Sequence, residues 1–203
     1  MRNAVAIVVF VSTLLSLAAA AQESRSEISL QGTGFFTRGT TGNGTEYNST
    51  ESGGFLGTYR YHLNRWISAE AAYGYDVNTQ RYSVSSSAPF RIQSGIHQFA
   101  GSLVLNLPSR THSRFNPYVI VGGGALLFDP TSNQLNTLSA SQSQTKGTFV
   151  YGAGLNYAIR KGIALRAEYR GLVYSTPDFG FGALATNSVT HTAEPSIGIS
   201  FRF

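Results

Sequence analysis

The chain has 203 residues, 15 basic against 10 acidic, a net charge of +5, and charged and aromatic shares of 12% each. Soluble globular domains carry about twice that charged share, and disordered tails combine high charge with few aromatics, so neither description fits. With no cysteine, a disulfide framework and thiolate metal sites are excluded.

Met1-Arg2-Asn3 is a short basic start, Ala4 to Ala20 is uncharged and apolar, and Ala19-Ala20-Ala21 supplies small residues at its end. These three parts make a secretory signal. The reading is therefore a signal peptide over residues 1–21, cut after Ala21 with Ala19 and Ala21 as the small residues that the peptidase accepts. The remaining 22–203 is one domain. A permanent anchor is the alternative, but the run sits at the lower limit for a spanning helix, and polar Gln22-Glu23-Ser24 follows it.

Beyond this segment the apolar period is two. Ser29 to Thr37 alternates weakly. Phe55, Tyr59, Tyr61 and Leu63 oppose Thr58, Arg60 and His62; Ile67, Ala69, Ala71, Tyr73 and Tyr75 oppose Ser68, Glu70, Gly74 and Asp76. Phe99, Leu103, Leu105 and Leu107 oppose Gln98, Ser102 and Asn106. Tyr118 to Phe128 is apolar on both faces, and its Gly122-Gly123-Gly124 marks a bulge or a close approach to a neighbour. Phe149 to Ile159, Ile163 to Val173 and Ile197 to Phe203 alternate again. This pattern predicts eight strands, each with one apolar and one polar face.

The connections alternate between short and long. Leu63-Asn64-Arg65 and Arg160-Lys161-Gly162 are tight and Pro108 to Asn116 is medium. Gly39 to Gly54, Asn78 to Phe90, Asp129 to Gly147 and Thr176 to Val189 are long. Short turns on one side and long loops on the other are the pattern of a transmembrane barrel, and about ten residues per strand suffice to cross a bilayer. Tyr61, Tyr118, Tyr157 and Phe201 near the short turns, with Phe55, Tyr75, Phe128 and Phe149 near the long loops, read as two aromatic girdles. A water-soluble barrel would point its apolar faces inward, but eight strands enclose little more than side-chain volume, which bulky Phe and Tyr would overfill. The expectation is an all-β, eight-stranded antiparallel up-and-down transmembrane barrel.

The last segment, Ile197-Gly198-Ile199-Ser200-Phe201-Arg202-Phe203, resembles the C-terminal strand of outer-membrane proteins. Pro117-Tyr118-Val119, Tyr151-Gly152-Ala153-Gly154 and Arg166-Ala167-Glu168-Tyr169-Arg170 resemble the fifth to seventh strands of the OmpA-like β-barrel family. The resemblance implies location in the outer membrane of a Gram-negative-type bacterium, both mature termini in the periplasm, and no cofactor. It also implies assembly by the barrel machinery, with Ile197, Ile199, Phe201 and Phe203 as the signal that machinery reads. The chain ends at Phe203 without a peptidoglycan-binding domain, so a wall-tethering role is not expected.

Arg60, Glu70, Arg166, Glu168 and Arg170 lie on polar faces and are the candidate lumen network, the first four at similar depth above the short turns. Charges in so narrow a lumen must be paired. The simpler role is to close the barrel; the resemblance adds the possibility of an ion gate built on exchanging pairs. His62, His97, His112 and His191 form no ligand spacing, so no metal is expected, and by parity His97 and His191 face lipid or the rim.

Outer-membrane lipid A deacylases and palmitoyltransferases are similar in size. Here, however, His112-Ser113 falls in a short turn and there is no G-x-S-x-G, so an enzyme is not expected. Gly152-Ala153-Gly154 leads into a strand, not a helix, and gives no phosphate cradle; no basic face suggests nucleic acid. The functional expectation is a monomeric structural barrel with mobile external loops, in contact with membrane lipid and lipopolysaccharide. A barrel that acts through its loops as an adhesin or host-factor binder, and a narrow ion or solute pore, are the alternatives.

Overall fold

The computed structural model describes residues 25–84, 90–108, 114–133, 142–180 and 186–203. The proposed signal peptide, with Ala19 and Ala21, lies outside them, as does His112. Eight long antiparallel strands close into a barrel: β1 (Ser26–Thr37), β4 (Ser52–His62), β5 (Ile67–Val84), β6 (Phe90–Asn106), β7 (Phe115–Asn133), β8 (Gln144–Arg160), β9 (Ile163–Ser175) and β10 (Val189–Arg202). Consecutive barrel strands pair in order, and β1 pairs with β10 from Glu27↔Arg202 to Thr37↔Thr192, which closes the ring. Closure leaves no barrel edge unpaired, as a strand-built span in lipid requires. No helix among the described residues is long and apolar enough to cross a membrane.

The outward faces carry the apolar residues. Leu30 is 65% exposed and Ile197 60%, whereas Arg60, Arg166 and Arg170 are 0% exposed and point inward. Such a surface is tolerable only against hydrocarbon. At the turn end the connections are tight because local chemistry fixes them: the Asn64 carboxamide oxygen accepts from the N–H groups of Trp66 and Ile67 at 2.7 and 2.8 Å. Gly162 supplies φ +77° between β8 and β9.

The barrel departs from the sequence expectation in three places, and in one more, the third below, it decides between two expected roles. First, Gly39 to Gly54 is not an open loop: β2 (Thr40–Gly42) and β3 (Thr45–Ser49) form a hairpin, with Asn43 and Gly44 both at positive φ, and β3 pairs with the upper part of β5. Positive φ at both turn residues matches the twist of a two-residue hairpin. Second, β5 continues through residues expected to be loop, because Asn78 and Gln80 turn inward and bond each other at 2.6 Å, and Ser94 donates to Gln80 at 3.0 Å. β7 and β8 likewise run further than expected, so β5 to β8 span 18, 17, 19 and 17 residues against 12, 11, 13 and 14 for β1, β4, β9 and β10.

Third, the glycine triplet makes no bulge. The register through Gly122↔Ser102 and Gly124↔Ala100 is unbroken, and the glycines serve close approach. A Cβ on Gly124 would stand 2.0 Å from the Phe99 carbonyl oxygen, and one on Gly122 would stand 2.2 Å from that of Gly101. Fourth, Tyr118 and Phe128 do not join the girdles. Both face the lumen, fully buried, because β7 sends Tyr118, Ile120, Leu126 and Phe128 inward and its other apolar set outward.

Candidate functional site in the barrel lumen

The turn half of the lumen is filled by charge. The five sequence candidates, Arg60 on β4, Glu70 on β5, and Arg166, Glu168 and Arg170 on β9, all project inward and meet there. Glu70 is the hub: Oε2 accepts from Arg60 Nε at 2.9 Å and lies 2.7 Å from Arg60 Nη2, while Oε1 accepts from Arg170 Nη2 at 2.7 Å. Arg166 Nη1 reaches the same carboxylate at 3.5 Å. Glu168 accepts from Arg170 Nε and from the Tyr118 hydroxyl, both at 2.5 Å. Arg166 also pairs with Glu27 and donates to Asn156 at 2.9 Å, Ser29 at 3.2 Å and Thr58 at 3.1 Å.

Cross-strand register explains the convergence. Arg60 is opposite Glu70 on β4 and β5, and the alternation of β9 puts three charges on one face. Tyr118 lies among them with its ring 4.2 Å from the Arg60 guanidinium carbon, a cation–π contact. It finds room because its partner across β7 and β8 is Gly154, where a Cβ would stand 2.3 Å from the phenol oxygen. Below the network a cavity of about 600 Å³ opens at the turn end, with Arg65, Asn106, Asn116, Asn156, Arg160 and Arg202 among its walls.

The loop half is filled by apolar side chains. Phe35, Tyr47, Leu56, Tyr82, Ile92, Ile96, Leu126, Phe128, Val150, Leu172 and Tyr174 form one buried cluster, closed from above by Phe179. Phe179 stands edge-on to Tyr82 and Phe128 with ring centroids 6.5 and 6.4 Å apart. Its loop is tied to β8: the Gln144 oxygen accepts from the N–H groups of Asp178 and Phe179, and the Gln144 amide donates to Asp178 at 2.7 Å. Burial alone would raise the Asp178 carboxyl, but the bonds from Gln144 and the Gly180 N–H outweigh it and hold it below the ordinary aspartate range.

Sequence reasoning did not place Glu27 or Tyr118 in the lumen network, nor Glu194 beside it, nor the apolar cluster above it. Parity could have found Glu27, two residues before Ser29, and Glu194, two before Ser196. Tyr118 was concealed because β7 is apolar on both faces. His97 and His191 face outward and bond tyrosine hydroxyls, Tyr73 and Tyr151, at 2.9 Å each. Ile197, Ile199 and Phe201 stand on the outer face of β10, opposite Gly32, Leu30 and Ile28 of β1. Among the described residues no group of three or more His, Asp or Glu side chains converges as a metal site.

A family model described as "Outer membrane protein beta-barrel domain" matches residues 7–203. No curated protein matches the sequence. Among solved structures, the chain is similar to the outer membrane protein OprG of Pseudomonas aeruginosa, with 14% identity, 90% of this chain and 98% of that one covered, and a TM-score of 0.63. Neisserial surface protein A follows with 15% identity, coverage of 88% and 97%, and a TM-score of 0.57. The attachment invasion locus protein Ail of Yersinia pestis has 16% identity, coverage of 90% and 100%, and a TM-score of 0.50. At these identities the likeness concerns the fold.

Proposed function

The chain belongs to the outer-membrane protein β-barrel family, and from that premise we propose that it is a non-conducting membrane scaffold whose working surface is its external rim and loops. Its place is the bacterial outer membrane. One observation carries the reading: the lumen is filled at two levels, by the Glu70-centred network and by the apolar cluster under Phe179. Eight strands leave little bore to begin with. In this reading both mature termini lie in the periplasm, residues 1–21 are removed on export, and Ile197, Ile199, Phe201 and Phe203 guide assembly. The network serves closure, not gating, and no catalytic role is assigned.

Single-channel recording in planar bilayers tests this, using protein purified from outer membranes of cells that express the full chain. Silence from a barrel shown to be folded by heat-dependent gel mobility is expected. Discrete conductance steps that change in Glu70→Ala or Arg166→Ala would replace the scaffold with a pore.

Recognition through the loops is favoured by a separate observation: the first loop is a hairpin anchored on β5 by five residue pairs, from Thr45↔Val84 to Ser49↔Gln80. An ordered protrusion on a rigid barrel suits binding. Deleting residues 40–49 while keeping assembly, with loss of cell attachment, would support an adhesin; unchanged attachment would remove it. Contact with lipopolysaccharide has its own support. Arg81 and Arg91 are direct cross-strand partners on the outer face of β5 and β6, above the apolar band. Like charges so placed repel unless an anion lies between them, and sugar-linked phosphates supply one. Arg81→Ser with Arg91→Ser should weaken the retention of lipopolysaccharide on the purified barrel; equal retention would count against the contact.

A further inference from the structure

The buried charges of the lumen do not balance. Among the described residues, Glu27, Glu70, Asp76, Glu168 and Glu194 are the buried carboxylates, and Arg60, Arg166 and Arg170 the buried guanidiniums. Five face three, an excess of two negative charges. Glu194 stands opposite Arg170 of the charged network and Asp76 opposite Ile96 of the apolar cluster, so the excess lies where the two fillings meet. Glu27, Glu70 and Glu168 each hold an arginine; Asp76 and Glu194, 3% and 0% exposed, have no ion pair among the described residues.

Their remaining bonds are weak. Asp76 Oδ2 accepts from the Thr33 hydroxyl at 3.4 Å, and Glu194 Oε2 from the Gln98 amide at 3.3 Å. Asp76 Oδ1, Glu194 Oε1 and the carbonyl oxygen of Gln98, itself 2% exposed, have no partner. Asp76 is linked to the strand of Glu194 through Thr33, whose partner on β10 is Ser196, two residues from Glu194 on the same face. Arg170, across the β9–β10 ladder from Glu194, already serves Glu70 and Glu168. Turning its unpartnered Nη1 onto Glu194 would leave the excess charge in place. Two unneutralised carboxylates in a water-poor interior are costly.

We propose that Asp76, Glu194 and Gln98 hold a hard divalent cation of the calcium class at mid-lumen. The unpartnered atoms of these three side chains are oxygens, two from carboxylates and one from an amide, which is the donor chemistry of calcium and not of zinc or copper. A divalent charge cancels the excess of two. Calcium accepts irregular oxygen sets more readily than magnesium, which demands near-octahedral geometry and keeps several waters. Asp76 comes from β5, Gln98 from β6 and Glu194 from β10, so the ion spans the lumen beside the β1–β10 seam. With the charged network on one side and the apolar cluster on the other, it enters as the barrel closes.

The test uses barrel extracted from outer membranes, unfolded, and refolded with calcium, with magnesium or with a calcium chelator. Metal content after gel filtration and the temperature at which gel mobility shifts are read for wild type, Asp76→Asn/Glu194→Gln and the surface control Glu46→Gln. The expected result is one calcium per folded wild-type and control barrel, a lower transition temperature in chelator, and a double variant that is calcium-free and indifferent to chelator. Calcium retained by the double variant would place the ion elsewhere and overturn the proposal. So would wild type that folds metal-free with an unchanged transition, which would leave protons to balance the charge. Should the double variant fail to fold, the metal content and chelator response of the wild type decide alone.

Discussion

Toward the turns, the lumen is filled by three arginines, their carboxylates and one tyrosine; toward the loops, by aromatic and aliphatic side chains under Phe179. Both halves exclude solvent, but by different rules. The charged half depends on complete pairing, because each group taken from water must find its partners. The apolar half depends on volume, and a missing side chain costs contacts and leaves a hole. One barrel thus contains two kinds of plug with separate weaknesses, and substitutions can tell them apart.

Glu70→Ala should have the largest effect, about 3–5 kcal/mol lost from unfolding in urea, because it takes away the carboxylate that Arg60 and Arg170 share and leaves Glu168 alone to serve both. An unchanged urea midpoint would mean that the charged half is no network. Leu56→Ala, fully buried in the apolar half, should cost about 3 kcal/mol; bound small apolar molecules should restore part of it, and no such rescue should reach Glu70→Ala. Tyr118→Phe removes one donor to Glu168 and should cost about 2 kcal/mol, with packing intact. Ile96→Val should cost about 1 kcal/mol, again from the urea midpoint.

The smallest effect belongs to the tie above the apolar plug. Because the folded state holds the Asp178 carboxyl below its ordinary value, the tie contributes stability above the ordinary aspartate range. That contribution fades as pH falls through the folded value. Protease cutting at the 176–180 segment should rise on acidification in wild type and be flat with pH in Asp178→Asn. A parallel rise in both would assign the change to another group.

The strands and their facing were legible because period two survives wherever lipid lies on one side and polar side chains on the other. β9 and β10 show this most clearly, and the depth of Arg60, Glu70, Arg166 and Glu168 followed from counting. The apolar half of the lumen was not legible. In β7 both faces are apolar, and no local signal separates Phe128, which faces in, from Leu127, which faces out; only the register with β6 and β8 decides. The β2–β3 hairpin had a readable Asn43-Gly44 turn, but its flanks are polar apart from Tyr47, which reaches the apolar cluster only because β3 pairs with β5. Asp76 was visible as a polar-face residue and Glu194 follows by parity with Ser196, yet their nearness depends on curvature around the barrel, which no single strand encodes.

The unequal strand lengths have a consequence for how the molecule stands in its surroundings. Beyond the Phe55↔Tyr75 pair, at the loop end, β5 continues for nine residues and β4 for three, an excess of six. At ~3.3 Å per residue that is about 20 Å of strand, or about 14 Å of height at a tilt of ~45°. Among the described residues the strand ends therefore form a slope, highest along β5 to β8 with β3 added to it, and lowest where β1, β9 and β10 meet. In the proposed orientation, an object arriving from outside touches the crest first, and the sugar layer stands against a wall on one flank only. A cylinder with a level rim would be indifferent to rotation in the plane of the membrane; this one has a front and a back.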